Sequence, residues 1–428
     1  MGKRISVPEL ARVEGEGGLH IALEGDEISE LRLDIYEPPR FFEGFLQGRY
    51  LQEVPDITAR ICGICPVAYQ MSSVYALEKA VEAEITPSIR ALRRLLYCGE
   101  YIESHALHIY MLQAPDLLGH ESALSLAAVA PDVVKTALRL KKIGNQLLRN
   151  IGGRSVHPVS AMVGGFYRWP KAEKLKEMLL DLRWGLDASI ETAHWAVTLP
   201  FPEMDVDYEF VALTLPDEYA IIEGDVLSSK NGIVPVEKFN DIYPEKHVRH
   251  SNALHSLTVT GEPYLVGPLA RLNLNYEKLH PTAKAVLDEL NLEMPITNPY
   301  KALIARAVEL VEVYALAIDL VEGYAPEGPA HVALDLKVGK GCAATEAPRG
   351  LLYHHYEVDE KGFIKSAHIM PPTAQNLARI EEDLRQLVPL VIEKPHEEAT
   401  LDCEHLIRSY DPCISCATHF LTLDIERK

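Results

Sequence analysis

Two Cys-x-x-Cys pairs, Cys62/Cys65 and Cys413/Cys416, stand near opposite ends of the chain, with 347 residues (66 to 412) between them. An i, i+3 spacing turns both sulfurs of a pair to one side of a turn, so the two pairs together can build a four-thiolate site for a soft metal. A fold that uses them this way must return its C-terminal segment to the core. Zinc ribbons usually close a loop of about 15 to 20 residues between pairs, and a thioredoxin-like dithiol follows a strand in a βαβ unit. Neither description fits here. Spacing therefore favours metal binding over a redox dithiol and leaves zinc, iron and nickel open.

The first pair lies in Ala-Arg-Ile-Cys-Gly-Ile-Cys-Pro, positions 59 to 66. Pro66 suits a first helical position and Cys65 an N-cap, where free amides favour thiolates. Seven cysteines in 428 residues are too few for a disulfide scaffold and point to a reducing compartment. Cys98, Cys342 and Cys403 are isolated and read as small buried hydrophobes.

Periodicity predicts an α+β fold, mainly helical: one integrated unit with a β-rich part over 1–58, a helical core over 59–200, a mixed insertion over 201–300 and a helical and β part over 301–428. Residues 19–36 read as a hairpin turning at Gly25 and Asp26. Helices are expected over 66–84, from Pro87 through Gln113, and near 132–150, 170–197, 300–324 and 374–390. Strands are expected in 208–226, 256–267 and 331–338, with a hairpin over 350–370. A hydrophobic content of 47% can bury a large core. The net charge of -20 disfavours nucleic acid and anionic membrane surfaces. The most apolar segment, Leu117 to Val134, is broken by His120, Glu121, Pro131 and Asp132, and the first residues hold no apolar signal core, so the expectation is a cytoplasmic chain without a membrane span.

Arg-x-Cys-Gly-x-Cys near residue 60, with Asp-Pro-Cys-x-x-Cys-x-x-His at 411–419, resembles the large subunit of nickel-iron hydrogenases. The likeness runs along the chain through Arg12-Val13-Glu14-Gly15, Arg40 to Gly44, Glu103 to His108, Gly153-Arg154, His157-Pro158, Glu346 to Gly350, and Pro372-Thr373 with Asn376. It implies the hydrogenase large-subunit fold, a helical bundle with an N-terminal sheet, and interconversion of H2 with protons and electrons at a nickel-iron centre. Cys62 and Cys413 would be terminal nickel ligands, and Cys65 and Cys416 would bridge to an iron carrying carbon monoxide and cyanide. Glu14 matches a proton-relaying carboxylate, and Arg349 a guanidinium over the open face, with Asp116 and Asp411 its acidic neighbours. Thr373, beside Pro372, matches a hydroxyl that binds a cyanide. Glu43, the carbonyl of Ile369 and His419 match a magnesium or iron(II) site. Tyr69 stands where the family often has histidine, and a phenol can still donate to the bridging sulfur.

The resemblance also implies partners: an iron-sulfur small subunit, and flavin and iron-sulfur diaphorase subunits that pass electrons to NAD(P) or ferredoxin. An iron-sulfur cluster takes four cysteines, and only three remain, so the electron relay is expected in another chain. Gly339-Lys340-Gly341-Cys342-Ala343-Ala344 imitates a dinucleotide fingerprint, but Pro348 comes too soon for a crossover helix, so no flavin or nucleotide is assigned here. His105 and His108 read as packed core residues. Three alternatives remain: a non-catalytic H2 sensor, a quinone-reductase-type respiratory subunit, against which the intact cysteine pairs argue, and a zinc-stabilised interaction protein. The family pattern further implies cleavage after His419, removing Phe420 to Lys428.

Overall fold

The computed structural model describes residues 4–25 and 27–418. Asp26 of the expected turn, His419, and the tail Phe420 to Lys428 with its expected cleavage point lie outside the described residues. The predicted N-terminal hairpin is present as Gly17–Glu24 and Glu27–Ile35, and Arg4–Val7 adds a third antiparallel strand along Gly17–Glu24. Alternate residues of this sheet, among them Leu19, Ile21, Leu31 and Leu33, are buried, which fixes its register against the body of the protein.

Five long helices follow: Pro66–Ala80, Pro87–Leu107, Pro131–Gly152, Leu179–Ala196 and Ala302–Glu322. Three of them begin with proline at the first position, where its missing N–H costs nothing. Thr86 caps Pro87–Leu107 by accepting the Ile89 N–H at 3.3 Å. The expected continuation to Gln113 runs as a π-helical stretch, His108–Gln113. Ala302–Glu322 is buried on almost every face, its apolar residues interrupted by Arg306, Glu309 and Glu312, which are buried with them. The core built around it runs from Ile5 to Ala417. Among the described residues no helix is long and apolar enough to cross a membrane.

The 350–370 hairpin is also present, as Gly350–Val358 and Ile364–Met370, joined by Gly339–Ala347 into a three-stranded antiparallel sheet. Gly339 and Gly341 thus lie in a strand, not in a phosphate loop. Their glycines are explained by packing: a Cβ on Gly341 would stand 2.1 Å from the Ala76 carbonyl oxygen of Pro66–Ala80. Gly341→Ala is expected to cost about 1–3 kcal/mol of stability. A thermal midpoint equal to wild type would show instead that the helix can give way.

Three strand expectations fail. Residues 331–338 form only an isolated bridge at His331, although their apolar residues alternate, because no neighbouring strand pairs with the rest. Residues 256–267 contribute the end of His255–Ser256 to a two-stranded ribbon and an isolated parallel bridge from Leu265 to Phe210. The 208–226 stretch is split, with Val211–Thr214 and Asp225–Ser228 separated by a turn region. After Pro372–Val391 a helix the periodicity did not anticipate, His396–Ser409, carries the chain back toward the N-terminal part.

Candidate metal centre

The chain enters the first cysteine pair from a short helix, Val54–Thr58, and one 3-10 turn, Ala59–Ile61. Cys62 is extended, Cys65 is the N-cap, and Pro66 opens the next helix as expected. The turn aims its own amides at sulfur: Ile64 and Cys65 N–H donate to Cys62 Sγ at 3.3 and 3.2 Å. The amides of the following helix do not serve a thiolate. Val67 and Ala68 N–H are taken by the Glu100 carboxylate at 2.6 and 3.0 Å.

The second pair is delivered by a sharp reversal after His396–Ser409. Asp411 adopts a left-handed φ of 55°, uncommon for a residue other than glycine. Arg349 secures it twice, through Nε to the Asp411 carbonyl at 2.8 Å and Nη2 to the carboxylate at 3.0 Å. Cys413 then pairs with Glu14 in a parallel bridge, and the Ile414 N–H donates to the Glu14 carbonyl at 2.8 Å. Thr373 Oγ1 accepts the Cys413 N–H at 3.0 Å. Gly15 is required at this crossing. Its φ is +90°, and a Cβ there would lie 2.7 Å from Ile414 Cβ and 2.8 Å from the Ser415 nitrogen.

Arg40 ties the two cysteine segments together. Its Nη2 donates to the carbonyls of Ile61, at 2.8 Å, and of Ser415, while its own N–H donates to the Thr418 carbonyl at 2.6 Å. The result is a cluster of four buried, unoxidised thiols. Cys62 Sγ and Cys413 Sγ are 3.6 Å apart, and the sulfurs of Cys62, Cys413 and Cys416 all lie within 4.8 Å of one another. Cys65 interacts with the other three.

The four thiols differ in acidity. Hydrogen bonds from Cys413, Cys416 and Cys65 hold the Cys62 pKa well below the thiol range despite burial, with the Arg349 charge adding to the effect. Burial pushes Cys413 and Cys416 the other way. Cys413 Sγ is thus the donor in its 3.1 Å contact with Glu14 Oε2, which also accepts the Ser415 N–H at 3.1 Å. Arg349 is 3% exposed, and its Nη1 is buried with no hydrogen-bond partner. Negative charge on Asp411 and on the cysteines keeps this guanidinium protonated against its burial. A buried cation with one unsatisfied N–H donor group, next to four sulfurs that bear at least one negative charge, fits a thiolate-bound metal with further acceptor ligands.

Glu14, Arg349, Asp411, Thr373 and the four cysteines are therefore brought together. Pro372 starts the helix that carries Thr373. Asp116, expected as an acidic neighbour of Arg349, has its ion pairs with other side chains. It pairs with Arg408 at 2.7 Å, with Arg12, and with His405 at 3.3 Å, so that, against burial, hydrogen bonds from His405 and Arg408 bring its pKa down to about 2. Glu43 does reach Ile369, accepting its N–H at 2.7 Å. His105 donates to or accepts from Glu309 at 2.8 Å, and His108 Nε2 meets the Arg408 carbonyl at 2.9 Å, both as buried core residues. Tyr69 is buried beside the Cys416 and Cys65 thiols with its hydroxyl unpartnered, and burial raises its pKa. Sequence reasoning assigned no role to Arg40 or Glu100. Both act through backbone groups of the cysteine segments, which spacing does not reveal.

A family model described as nickel-dependent hydrogenase matches residues 40–161 and 254–419. The chain is 35% identical to sulfhydrogenase 1 subunit alpha of Pyrococcus furiosus, over 98% of each chain. It is 33% identical to sulfhydrogenase 2 subunit alpha of the same organism, over 98% of this chain and all of that one. Its fold is similar to that of a NAD+-reducing nickel-iron hydrogenase solved in the H2-reduced state, with a TM-score of 0.90 at 26% identity, covering 97% of this chain and 99% of that chain.

Proposed function

The chain belongs to the nickel-dependent hydrogenase family, and on that premise we propose how its residues serve the reaction H2 → 2H+ + 2e−. It is the catalytic large subunit of a nickel-iron hydrogenase, an oxidoreductase acting on H2. The observation that carries the residue assignments is the cluster of four buried thiols, one of which, Cys413, donates to the Glu14 carboxylate, beside one partly unsatisfied guanidinium, Arg349.

Cys62, Cys65, Cys413 and Cys416 would hold the nickel-iron centre, which when bound would supply Lewis-acid and redox chemistry for heterolytic cleavage of H2. Metal binding needs thiolates, and the Cys62 turn prepares one with two backbone amides. Glu14 Oε2 receives the proton from Cys413 Sγ, with which it already shares a hydrogen bond, and the Ser415 N–H keeps the carboxylate aimed at sulfur. Arg349, fixed by Asp411, leaves its Nη1 unpartnered beside the thiols, where it would donate to acceptor ligands of a bound metal and exclude water. The Thr373 hydroxyl oxygen accepts from the Cys413 N–H, so its own proton would be free to donate to an acceptor ligand of the metal centre. Glu43, the Ile369 carbonyl and His419 would hold Mg2+ or Fe2+. Arg349→Lys is expected to lower kcat by about 10²–10³-fold, since a flexible ammonium cannot satisfy Asp411 and the open face together. Turnover near wild type would remove Arg349 from the site.

Electrons leave through a partner. Cys98, Cys342 and Cys403 are scattered and buried, so this chain's remaining thiols do not assemble a cluster. An iron-sulfur small subunit would cover the face near Cys62 and Cys65, where Phe41 and Phe45, beside Arg40, stand exposed. Diaphorase subunits would carry electrons on to NAD(P) or ferredoxin. The similarity to a NAD+-reducing enzyme supports this reading. The isolated chain should fail to reduce viologen dyes with H2, and the complex should succeed. Dye reduction by the single chain would contradict the partner assignment.

A further inference from the structure

A second group of metal-ligating side chains lies apart from the thiols. His250, His255 and Glu381 each offer one ligand atom, and all three atoms lie within 4.8 Å of one another. The two histidines come from an irregular segment and its short strand His255–Ser256, and Glu381 from the Pro372–Val391 helix. The N-terminal sheet meets both. Asn252 N–H donates to the Ile35 carbonyl at 2.7 Å, and Leu33 N–H donates to Glu381 Oε1 at 2.9 Å.

His250 Nε2 bonds that same Glu381 oxygen at 2.8 Å. His255 packs edge-to-face on His250, with ring centroids 5.6 Å apart. It is 3% exposed, and its Nε2 is buried without a hydrogen-bond partner. A buried imidazole nitrogen left unpaired beside a histidine and a carboxylate is a polar group that the protein alone does not satisfy. Burial, reinforced by His250, lowers the His255 pKa to about 4, so the ring is neutral at pH 7 and carries a lone pair. His250 and Glu381 retain side-chain exposures of 25% and 13%, which leaves an entry route and a place for water.

We propose that His250, His255 and Glu381 bind a divalent cation of borderline softness, zinc(II) foremost, which pins the 250–256 segment to the Pro372–Val391 helix. Two imidazoles and one carboxylate suit zinc, cobalt or nickel, whereas magnesium and calcium require mainly oxygen donors. Zinc bonds of about 2.0–2.2 Å place ligand atoms about 3.4 Å apart in a tetrahedron, so small side-chain movements close the group on the ion. The ion takes the place of the His250–Glu381 hydrogen bond, whose proton leaves to solvent where the imidazole or carboxyl carries one, and water completes the shell. The site shares no residue with the thiol cluster.

The test uses the purified, chelator-washed complex titrated with zinc sulfate, read by elemental analysis and zinc-edge X-ray absorption. Wild type is expected to take up one zinc per chain in a nitrogen and oxygen shell, with a raised thermal midpoint. His250→Ala and Glu381→Gln, chosen because both side chains are less buried than His255, should bind zinc at least 10-fold more weakly and keep their nickel and H2 turnover. Absence of zinc uptake by wild type, equal uptake by both variants, or sulfur in the zinc shell would each overturn the proposal.

Discussion

Glu14→Gln is expected to leave nickel and iron in place while lowering H2/D2O exchange by about 10²–10⁴-fold, the range for loss of one positioned acid–base group. The amide is nearly isosteric, and the main-chain link from Ile414 N–H to the residue 14 carbonyl does not depend on the side chain. What the variant loses is an oxygen that can take a proton from Cys413 Sγ at 3.1 Å. The same oxygen holds the Ser415 N–H, and an amide oxygen can still accept that bond. Structure is therefore retained and proton transfer is not. Exchange at the wild-type rate in a metal-replete Glu14→Gln enzyme would reduce Glu14 to a backbone bridge between the two ends of the chain.

Cys62→Ser is expected to abolish H2 uptake altogether. Cys62 is the thiol whose surroundings most favour the anion: two amides, three neighbouring thiols and the Arg349 charge act on one sulfur. An alcohol in the same place stays protonated and is a poor ligand for nickel. The variant also leaves Cys413 and Arg349 without their charged neighbour, so metal content should fall with activity. Uptake comparable to wild type in the intact complex would remove Cys62 from the ligand set.

The sequence announces the thiols and little of what aims them. Two CxxC pairs far apart demand that the chain's ends meet, and the meeting is built as the spacing implies, with Cys413 paired to Glu14. Gly15 is legible only afterwards, because its positive φ and the close approach of Ile414 depend on a contact 399 positions away. Arg40 and Glu100 are less legible still. Each satisfies backbone atoms, carbonyls of Ile61 and Ser415 or amides of Val67 and Ala68, and such partners leave no pattern in side-chain spacing. Asp116 shows the reverse problem. The family resemblance pairs it with Arg349 as an acidic neighbour, and its bonds in the fold, to Arg12, Arg408 and His405, are ones that spacing does not reveal. The long helices Pro66–Ala80, Pro87–Leu107, Pro131–Gly152, Leu179–Ala196 and Ala302–Glu322 are readable from period, whereas 331–338 alternates like a strand and finds no partner for most of its length.

The central claim is that Cys62, Cys65, Cys413 and Cys416 together hold nickel. Nickel-edge X-ray absorption on the purified complex tests it most directly. The account predicts one nickel per chain in a sulfur-rich shell with an iron neighbour, and loss of that shell in Cys62→Ser. Zinc in place of nickel at the thiols, or nickel bound only by nitrogen and oxygen, would contradict it.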